Sequence, residues 1–356
     1  MKNTLPVLLA LALGHGLNDF IAGFLLAKSV EAAPALWGIS LFAIYSALAF
    51  GGQVPLALLI EKKKNYRAWA LLAFALMGCA IALQHVSMIA AIIVSGFASA
   101  LYHVAGGALS IQLPKAKTFS AGIFSAPGVI GLTLGGFFIG KMEFDLLWLL
   151  PALLLFAFFV FRLKRFQAKE NVSEKSPAEK TPGFEVHDGI MLLLLLVIAL
   201  RSAIWDIYQV VYYESPQWML WIALAAAAGK ALGGLLAERY DKVNYLGASM
   251  FSSIVLLQFS EKHPAFLLAG IALLQSTIPA CVMLVSRFLG GQYGMSNAIV
   301  LGLAIVIGAF PYQFPGEYLF YWVSAGLAFS LLVFYLLMRK RLRSSNSSNE
   351  KAESAA

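Results

Sequence analysis

Two stretches of the chain, ALGHGLNDF at residues 12–20 and ALRSAIWDI at residues 199–207, align without a gap and superpose Asp19 on Asp206. Apolar residues dominate both stretches, so an aspartate is unexpected in each of them. Polar positions that recur within apolar runs are typical of transporters that consist of two related helix bundles joined by a linker. The alignment therefore predicts a chain of two pseudo-symmetric halves.

A second pair of stretches matches in the same order along the two halves. GQVPLALLIEKKK aligns with GKALGGLLAERYD, and this alignment pairs Gln53 with Lys230 and Glu61 with Glu238. One matched pair of helices is weak support for a repeat, but two pairs in the same register are more persuasive. We therefore expect polar groups at matched depths in the two halves.

The composition places the chain in a membrane. Of its 356 residues, 60% are hydrophobic and 12% are charged, and its mean hydropathy is +0.79. Its apolar runs are longer than the elements of a soluble core, which excludes a water-soluble globular protein. The first apolar run extends to residue 27 and lacks a small-residue cleavage site, so it is interpreted as a retained helix and not as a signal peptide.

Apolar runs of about 20 residues, the length that crosses a bilayer at 1.5 Å per residue, predict twelve transmembrane helices. A polar segment at residues 164–188 is rich in charge and contains two prolines, which predicts a flexible linker. The predicted units are an N-terminal six-helix bundle (1–163), this linker, a C-terminal six-helix bundle (189–338) and a disordered tail (339–356). The predicted spans are 5–27, 35–60, 67–84, 88–112, 119–140, 144–163, 189–213, 217–238, 243–259, 264–287, 295–313 and 318–338.

The basic residues predict the orientation. With both termini and the linker in the cytoplasm, 21 of the 26 Lys and Arg residues lie on that side, 3 lie outside and 2 lie within spans. This bias satisfies the positive-inside rule and accounts for the net charge of +8 without a nucleic acid partner. We expect a monomer in the cell inner or plasma membrane, with the lipid bilayer, protons and a small-molecule substrate as its partners.

Several ionisable side chains fall near the middle of the predicted spans, where a charge is costly unless it faces protein, water or a partner. His15 and Asp19 are four residues apart on one helix face, so their side chains can exchange a proton or a hydrogen bond. Arg201 and Asp206 are five residues apart, about 140° around a helix, so each needs a partner elsewhere. An arginine without a partner on its own helix is a candidate site for an anion.

These positions give a set of candidate roles. We assign proton coupling to Asp19, His15 and Asp206, and substrate binding to Arg201, His103, Asn18, Lys230, Gln53 and Gln275. Structural roles remain open for the same residues, namely interhelical hydrogen bonding for Asp19, neutralisation of a buried carboxylate for Arg201, and extension toward the cytoplasmic interface for Lys230. Gating is assigned to Glu61, Glu238 and Arg239, which lie at the cytoplasmic ends of the matched spans.

A family resemblance follows from GGLLAERYDK at residues 233–242, which resembles the loop signature after the eighth helix of the major facilitator superfamily. The copy in the first half, ALLIEKKKN, is degraded and lacks the leading glycine. Within that superfamily the chain resembles the fosmidomycin-resistance group of efflux carriers. The resemblance implies the major facilitator fold, with twelve helices in two six-helix bundles, and it is carried by GHGLNDFIAGFL (14–25), SALYHVAGG (99–107), GVIGLTLGG (128–136) and ALRSAIWDIY (199–208).

The fifth predicted span contains SAPGVIGLTLGGFFIG, in which glycines recur at positions that let another helix approach closely. It resembles the fifth-helix glycine motif of antiporters in this superfamily, although ordinary close packing explains the glycines equally well. The glycines are Gly128, Gly131, Gly135, Gly136 and Gly140.

Enzymatic and ATP-driven chemistry lacks support, because the sequence has no phosphate-binding loop with its lysine, no nucleophile elbow and no zinc-binding helix motif. We therefore predict a secondary transporter without cofactor or structural metal, not an enzyme. It would move a small organic solute, with proton coupling and efflux by antiport as the expected mode. The alternatives are proton symport of a small anionic nutrient, export of a divalent metal through His15, Asp19 and His103, and a membrane scaffold or sensor that does not transport.

Overall fold

The computed structural model describes residues 5–32, 35–113, 117–138, 144–163, 186–212, 214–309 and 318–353. The regular structure in these ranges is helical, without a β-strand. Fifteen α-helices follow one another along the chain. They are α1 (Leu5–Ala32), α2 (Ala35–Ser46), α3 (Gln53–Lys63), α4 (Tyr66–Leu83), α5 (Met88–Gln112), α6 (Lys117–Phe138), α7 (Leu150–Arg162), α8 (Val186–Val211), α9 (Pro216–Arg239), α10 (Lys242–Gln258), α11 (Pro264–Ser276), α12 (Ile278–Phe288), α13 (Tyr293–Ala298), α14 (Ala304–Gly308) and α15 (Leu319–Glu353).

Each of the twelve predicted spans contains helix. In the described ranges nine helical segments are long and apolar enough to cross a membrane, and α7, α10 and the segment from α13 to α14 are shorter. Three spans contain more than one α-helix. A π-helical turn at Ala47–Gly51 joins α2 to α3, a second one at Ile299–Leu303 joins α13 to α14, and α11 passes into α12 at Thr277.

Some boundaries differ from the prediction. The first helix continues to Ala32, and α8 begins at Val186, inside the predicted linker, whose residues 164–185 lie outside the described ranges. The predicted disordered tail is helical as far as Glu353. Extension of an existing helix avoids the cost of nucleation, so polar residues of adequate helix propensity continue α15.

Local side-chain chemistry explains where several helices begin. A side chain just before the first turn accepts a hydrogen bond from a backbone N–H group that has no partner within the helix. Asn65 does so for α4, Ser87 for α5, Asp241 for α10 and His263 for α11. The loops between these spans are therefore short and fixed at their ends.

The two predicted halves meet along two lines of contact. On one line α6 packs against α9, where a Cβ atom added at Gly122 would lie 2.5 Å from the carbonyl oxygen of Lys230. On the other line α3 packs against α13, and the two π-helical turns contact each other. Residues on α6, α9, α3 and α13 are therefore placed to link the halves.

Within the first half, α1 packs closely on α6. A Cβ atom added at Gly131 would lie 2.0 Å from the carbonyl oxygen of Gly16, and one at Gly135 would lie 2.1 Å from that of Phe20. Gly128 faces His15 and Asp19, whereas Gly136 faces open space and Gly140 lies outside the described ranges. Three of the five glycines thus have a packing role.

Gly131→Ala is expected to destabilise the protein, because the new methyl group must push α1 and α6 apart. We expect a loss of at least about 1–3 kcal/mol, the usual cost of an added group in a filled interior. Gly136→Ala on the same helix is the matched control and should be neutral or slightly stabilising. Thermal unfolding of the purified variants in detergent measures the difference, and equal midpoints for the two variants would contradict the close packing of α1 on α6.

Candidate functional site

The ionisable residues predicted in the first and fourth spans meet in one cluster. His15 and Asp19 lie one turn apart on α1, and His103 reaches them from α5. The Nε2 atom of His15 lies 3.0 Å from the Nε2 atom of His103 and 3.2 Å from Oδ2 of Asp19, which is itself 3.8 Å from the His103 Nε2 atom. The side chains of His15, Asp19 and His103 are 3%, 9% and 8% exposed, so the cluster is buried.

The remaining ring nitrogens determine the tautomers of the two histidines. Nδ1 of His15 lies 2.8 Å from the carbonyl oxygen of Phe124, and Nδ1 of His103 lies 2.8 Å from that of Ser99. A carbonyl oxygen can only accept a hydrogen bond, so both Nδ1 atoms must carry the proton. In the neutral histidines each Nε2 atom then carries a lone pair. The two Nε2 atoms and Oδ2 of Asp19 are therefore three acceptors, and no donor lies between them.

This arrangement has room for one added proton. With the carboxylate ionised and both imidazoles neutral, the cluster carries one negative charge that no donor at its centre offsets. One proton bound at either Nε2 atom supplies the missing donor to the second ring or to Asp19 and makes the cluster neutral. The cluster is thus chemically suited to bind and release a single proton.

The surroundings hold the cluster in place. The ring of Phe124 stacks on His15 with a centroid distance of 4.6 Å, and Gly128 leaves no space for a side chain, since a Cβ atom there would lie 2.6 Å from Oδ2 of Asp19. Asn18 donates from Nδ2 to Oδ1 of Asp19 over 3.1 Å. Asn18 therefore contacts the carboxylate directly, while its own Oδ1 atom has no partner among the described residues.

His15, Asp19 and His103 could also share a metal ion, because their ligand atoms lie within 4.8 Å of one another. They offer two nitrogen atoms and one oxygen atom. Two histidine nitrogens bound to one tetrahedral zinc ion at about 2.0–2.1 Å would be about 3.3 Å apart. The 3.0 Å separation seen here is within hydrogen-bond distance and is also close to that value, so the same three residues suit a shared proton or a bound metal ion.

The predicted residues of the second half form a separate polar group. Arg201 on α8 is 2% exposed, and it donates from Nη1 to Oε1 of Gln275 over 3.4 Å and from Nη2 to the hydroxyl of Ser202 over 2.8 Å. Its Nε atom is buried without a hydrogen-bond partner, and no carboxylate of the described residues forms an ion pair with it. Asp206 on the same helix also has a buried oxygen, Oδ2, without a partner.

Lys230 on α9 connects this group to the first half. Its Nζ atom donates to the carbonyl oxygen of Ser125 on α6 over 3.3 Å. That carbonyl is the next one along the chain from the Phe124 carbonyl, which accepts from His15. Two consecutive backbone carbonyls of α6 therefore accept hydrogen bonds, one from His15 of the cluster and one from Lys230 of the other half.

Gln53, the position matched to Lys230, forms its hydrogen bond within its own span. It is buried in α3 and donates from Nε2 to the carbonyl oxygen of Ala49 over 2.8 Å, beside the π-helical turn of the second span. Its Oε1 atom has no partner among the described residues and lies close to Gly302 of the facing π-helical turn. The structure thus places Gln53 at the contact between the halves.

The predicted gating carboxylates each bind a helix start in the opposite half. Glu61 on α3 accepts from the backbone N–H groups of Gly294 and Met295 over 2.6 and 3.2 Å, at the start of the eleventh span. Glu238 on α9 accepts from the backbone N–H of Thr118 at the start of α6 over 2.8 Å. A carboxylate is favourable at a helix N-terminus, because it accepts from N–H groups that have no partner within the helix. We call these two contacts the latches.

Removal of the latches should open this end of the protein. Glu61→Gln and Glu238→Gln keep the shape but remove both charges, and a hydrogen bond to a charged group contributes about 1.5–3 kcal/mol. We therefore expect the double variant to label at least about tenfold faster at a cysteine introduced at Val104, which lies under Gly294. Maleimide labelling in a Cys79→Ser background measures this rate.

Glu214→Gln, which removes an exposed carboxylate before α9, is the control for this experiment. Its labelling rate should match that of the parent protein. An unchanged rate in the double latch variant would remove the gating assignment of both residues.

Arg239, the third predicted gating residue, is exposed and forms no hydrogen bond or ion pair with the described residues. The sequence did not indicate Phe124 and Ser125, because their contribution is made by backbone carbonyls that any residue type supplies. Ser99 was predictable, since it lies one helical turn before His103. The helix starts that receive Glu61 and Glu238 come from distant parts of the chain and leave no local signal.

Comparison with known proteins gives structural matches only. No family model matches the chain, and no curated protein sequence matches it. A crystal structure of the E. coli fucose:proton symporter FucP is similar with a TM-score of 0.69 and 13% sequence identity, over 95% of this chain and 98% of that one. A second FucP structure, in the outward conformation, gives a TM-score of 0.68 and 14% identity over 94% of this chain and 98% of that one. The human organic anion transporter MFSD10 gives 0.61 and 13% identity over 95% of this chain and all (100%) of that one.

The chain has the major facilitator fold. At identities of 13–14% the matches show the fold alone, and they extend over nearly the whole chain. The predicted fold class is therefore confirmed, and the chain is a multi-pass membrane protein that shares this fold with transporters. The resemblance to the fosmidomycin-resistance group stays a prediction.

Proposed function

We propose that this protein is a proton-coupled secondary transporter of a small organic solute. The fold is shared with transporters of this kind, which supports secondary transport in general. Proton coupling is supported by one observation: the Nε2 atoms of His15 and His103 and Oδ2 of Asp19 lie within 3.8 Å of one another, with no donor between them. One proton completes this cluster, and its release leaves a buried negative charge.

Alternating exposure would let the cluster exchange its proton with each side of the membrane in turn. Asp19 is the group whose charge the proton offsets, His15 and His103 share the proton, and Asn18 holds the second carboxylate oxygen. Asp206 keeps its predicted role as a second coupling carboxylate, supported by its matched position and its partnerless Oδ2 atom. Two bundles that rock about a central cavity provide the exchange in this type of carrier.

Efflux by proton antiport is the proposed direction, supported by the resemblance of the glycine motif in the fifth predicted span to the motif of antiporters in this superfamily. Proton symport of a small organic anion is the second candidate, and the absence of an ion pair to the buried Arg201 among the described residues favours it. The fold neighbours include a proton symporter for a sugar and an organic anion transporter. Export of a divalent metal through His15, Asp19 and His103 stays an alternative, because their ligand atoms lie within 4.8 Å of one another.

Proteoliposomes test the proposal even while the solute is unidentified. A pH-sensitive dye inside the vesicles reports proton movement when sugars, carboxylates, amines and antibiotics are added one at a time. A transporter should produce proton flux with at least one solute, inward for symport and outward for antiport with external solute. Absence of flux and of radiolabelled exchange across the whole panel would favour the scaffold or sensor alternative.

The proposed topology places the latches, both termini and residues 164–185 in the cytoplasm, on the basis of the 21-to-3 bias of basic residues. In a Cys79→Ser background, a cysteine introduced at Lys175 should therefore react with a membrane-impermeant maleimide only after the cells are opened. A cysteine introduced at Glu261, on the opposite side, is the control and should react in intact cells. Reaction at Lys175 in intact cells would invert the topology and the assignment of the latches to the cytoplasm.

A further inference from the structure

We propose that Arg201, Gln275 and Lys230 form a subsite for the carboxylate group of a monoanionic solute. The inference rests on the proposed transport function, because it requires a solute site inside the protein. It concerns the second half of the chain and leaves the histidine cluster in its own role.

The first step is the state of Arg201. A guanidinium group has five N–H donors, and in a nearly fully buried position each donor without a partner is costly. Here Nη1 and Nη2 donate only to neutral oxygens, one of them at 3.4 Å, and Nε donates to none. Arg201 is thus a buried cation with unused donors and no ion pair among the described residues. An anionic solute that enters the site can supply the missing acceptors.

The second step places Lys230 at the level of Gln275. A Cβ atom added at Gly229 would lie 2.1 Å from the carbonyl oxygen of Ala272, and one at Gly233 would lie 2.1 Å from that of Ser276. These contacts bring α9 and α11 together on both sides of the level at which Lys230 and Gln275 lie. Lys230 and Gln275, whose amide oxygen accepts from Arg201, are therefore at the same level on two closely packed helices.

The third step is that Lys230 has donors to spare. Its ammonium group has three N–H bonds, and its one hydrogen bond to a described residue is the 3.3 Å bond to the carbonyl of Ser125. Lys230 is only partly buried, unlike Arg201, so an incoming group can reach it. An anion that binds Arg201 can therefore take a second contact from Lys230.

The formal charges favour a monoanion while Asp206 is ionised. Arg201 and Lys230 contribute two positive charges, and an ionised Asp206, on the same helix as Arg201, contributes one negative charge. One added negative charge makes this group neutral, whereas a dianionic phosphate would leave it negative. The planar fork of Nε and one Nη atom also matches the two oxygens of a carboxylate.

The test uses matched pairs of carboxylates and amides on the purified full-length protein in nanodiscs. Benzoate with benzamide, lactate with lactamide, and butyrate with butyramide are titrated, and inorganic phosphate is added as a separate ligand. Calorimetry and the thermal unfolding midpoint are the measurements. At least one carboxylate should bind and stabilise the protein while its amide does not, and it should bind more tightly than phosphate.

Two variants assign the binding to the subsite. Arg201→Ala should weaken binding of the carboxylate by roughly tenfold to 100-fold, since a hydrogen bond to a charged group contributes about 1.5–3 kcal/mol. Gln275→Glu places a carboxylate of the same shape at the guanidinium, so it should be stably folded and should prevent binding. Arg287→Ala, which removes an exposed arginine from the end of α12, is the control and should bind as the parent does.

The subsite would be overturned if no carboxylate binds better than its amide, if phosphate is the tighter ligand, or if Gln275→Glu binds the carboxylate fully. Failure of the proposed function has a different signature, because it would appear as carboxylate binding that produces no proton flux in the vesicle assay. Proton flux with a neutral solute that is unaffected by Gln275→Glu would instead retain the function and reject the subsite.

Discussion

Asp19→Asn should abolish accumulation of the solute in response to a pH gradient. For one coupled proton, a gradient of about 2 pH units supports about a 100-fold concentration ratio, since each unit corresponds to about 1.4 kcal/mol. The asparagine keeps the shape of the aspartate but cannot offset a proton held between His15 and His103. Binding of that proton would leave an uncompensated charge in the membrane interior, which is strongly unfavourable. The expected concentration ratio of the variant is therefore one.

The measurement is uptake or extrusion of a solute identified by the proton-flux assay, in vesicles with the gradient imposed in either direction. Solute exchange without a gradient should persist in Asp19→Asn, because the variant resembles the protonated state of the cluster. Glu214→Gln serves as the control for removal of a carboxylate elsewhere and should accumulate the solute normally. A normal ratio in Asp19→Asn vesicles would return Asp19 to the role of an interhelical hydrogen-bonding residue.

The sequence was sufficient to predict the membrane environment and a helix within each predicted span, because apolar runs of about 20 residues have few alternatives in a folded chain. It also predicted that His15 and Asp19 face the same side of α1, since that depends only on a spacing of four residues. The ends of the helices were less predictable. The extension of α15 to Glu353 depends on continuation of a formed helix and leaves no apolar pattern.

The partners of the site residues required the three-dimensional structure. His103 was predicted as a substrate ligand, and the structure places its Nε2 atom 3.0 Å from that of His15, 88 positions away along the chain. The carbonyl of Phe124, which fixes the tautomer of His15, would be present with any residue at that position. The residues at the matched positions also have different contacts. Lys230 donates to a carbonyl of the first half, whereas Gln53 donates to a carbonyl of the π-helical turn in its own span. Sequence periodicity gives the depth of a residue and its face on one helix, but not the residue that it meets on another.

Arg201→Ala should weaken anion binding by roughly tenfold to 100-fold, with a smaller effect on folding. Its guanidinium donates to Gln275 and Ser202, which are neutral, and it has no ion pair with a described carboxylate. Loss of the side chain therefore removes hydrogen bonds and some packing but does not leave an ion-paired carboxylate without its partner. Thermal unfolding of the purified variant and binding of the carboxylate identified above measure the two effects separately.

The double variant Arg201→Ala/Asp206→Asn distinguishes this interpretation from neutralisation of a buried carboxylate. If Arg201 neutralised Asp206 as a direct pair, the single variant would lose about 3–5 kcal/mol of stability, and removal of the carboxylate would restore much of it. We expect the coupling free energy between the two substitutions to be well below that range, because no direct contact joins them in the described structure. The effects of Arg201→Ala and Asp19→Asn on the free energy of unfolding should be additive in the corresponding double-mutant cycle. Recovery of expression in either double variant, with transport intact, would show that Arg201 serves charge balance and would remove it from the solute site.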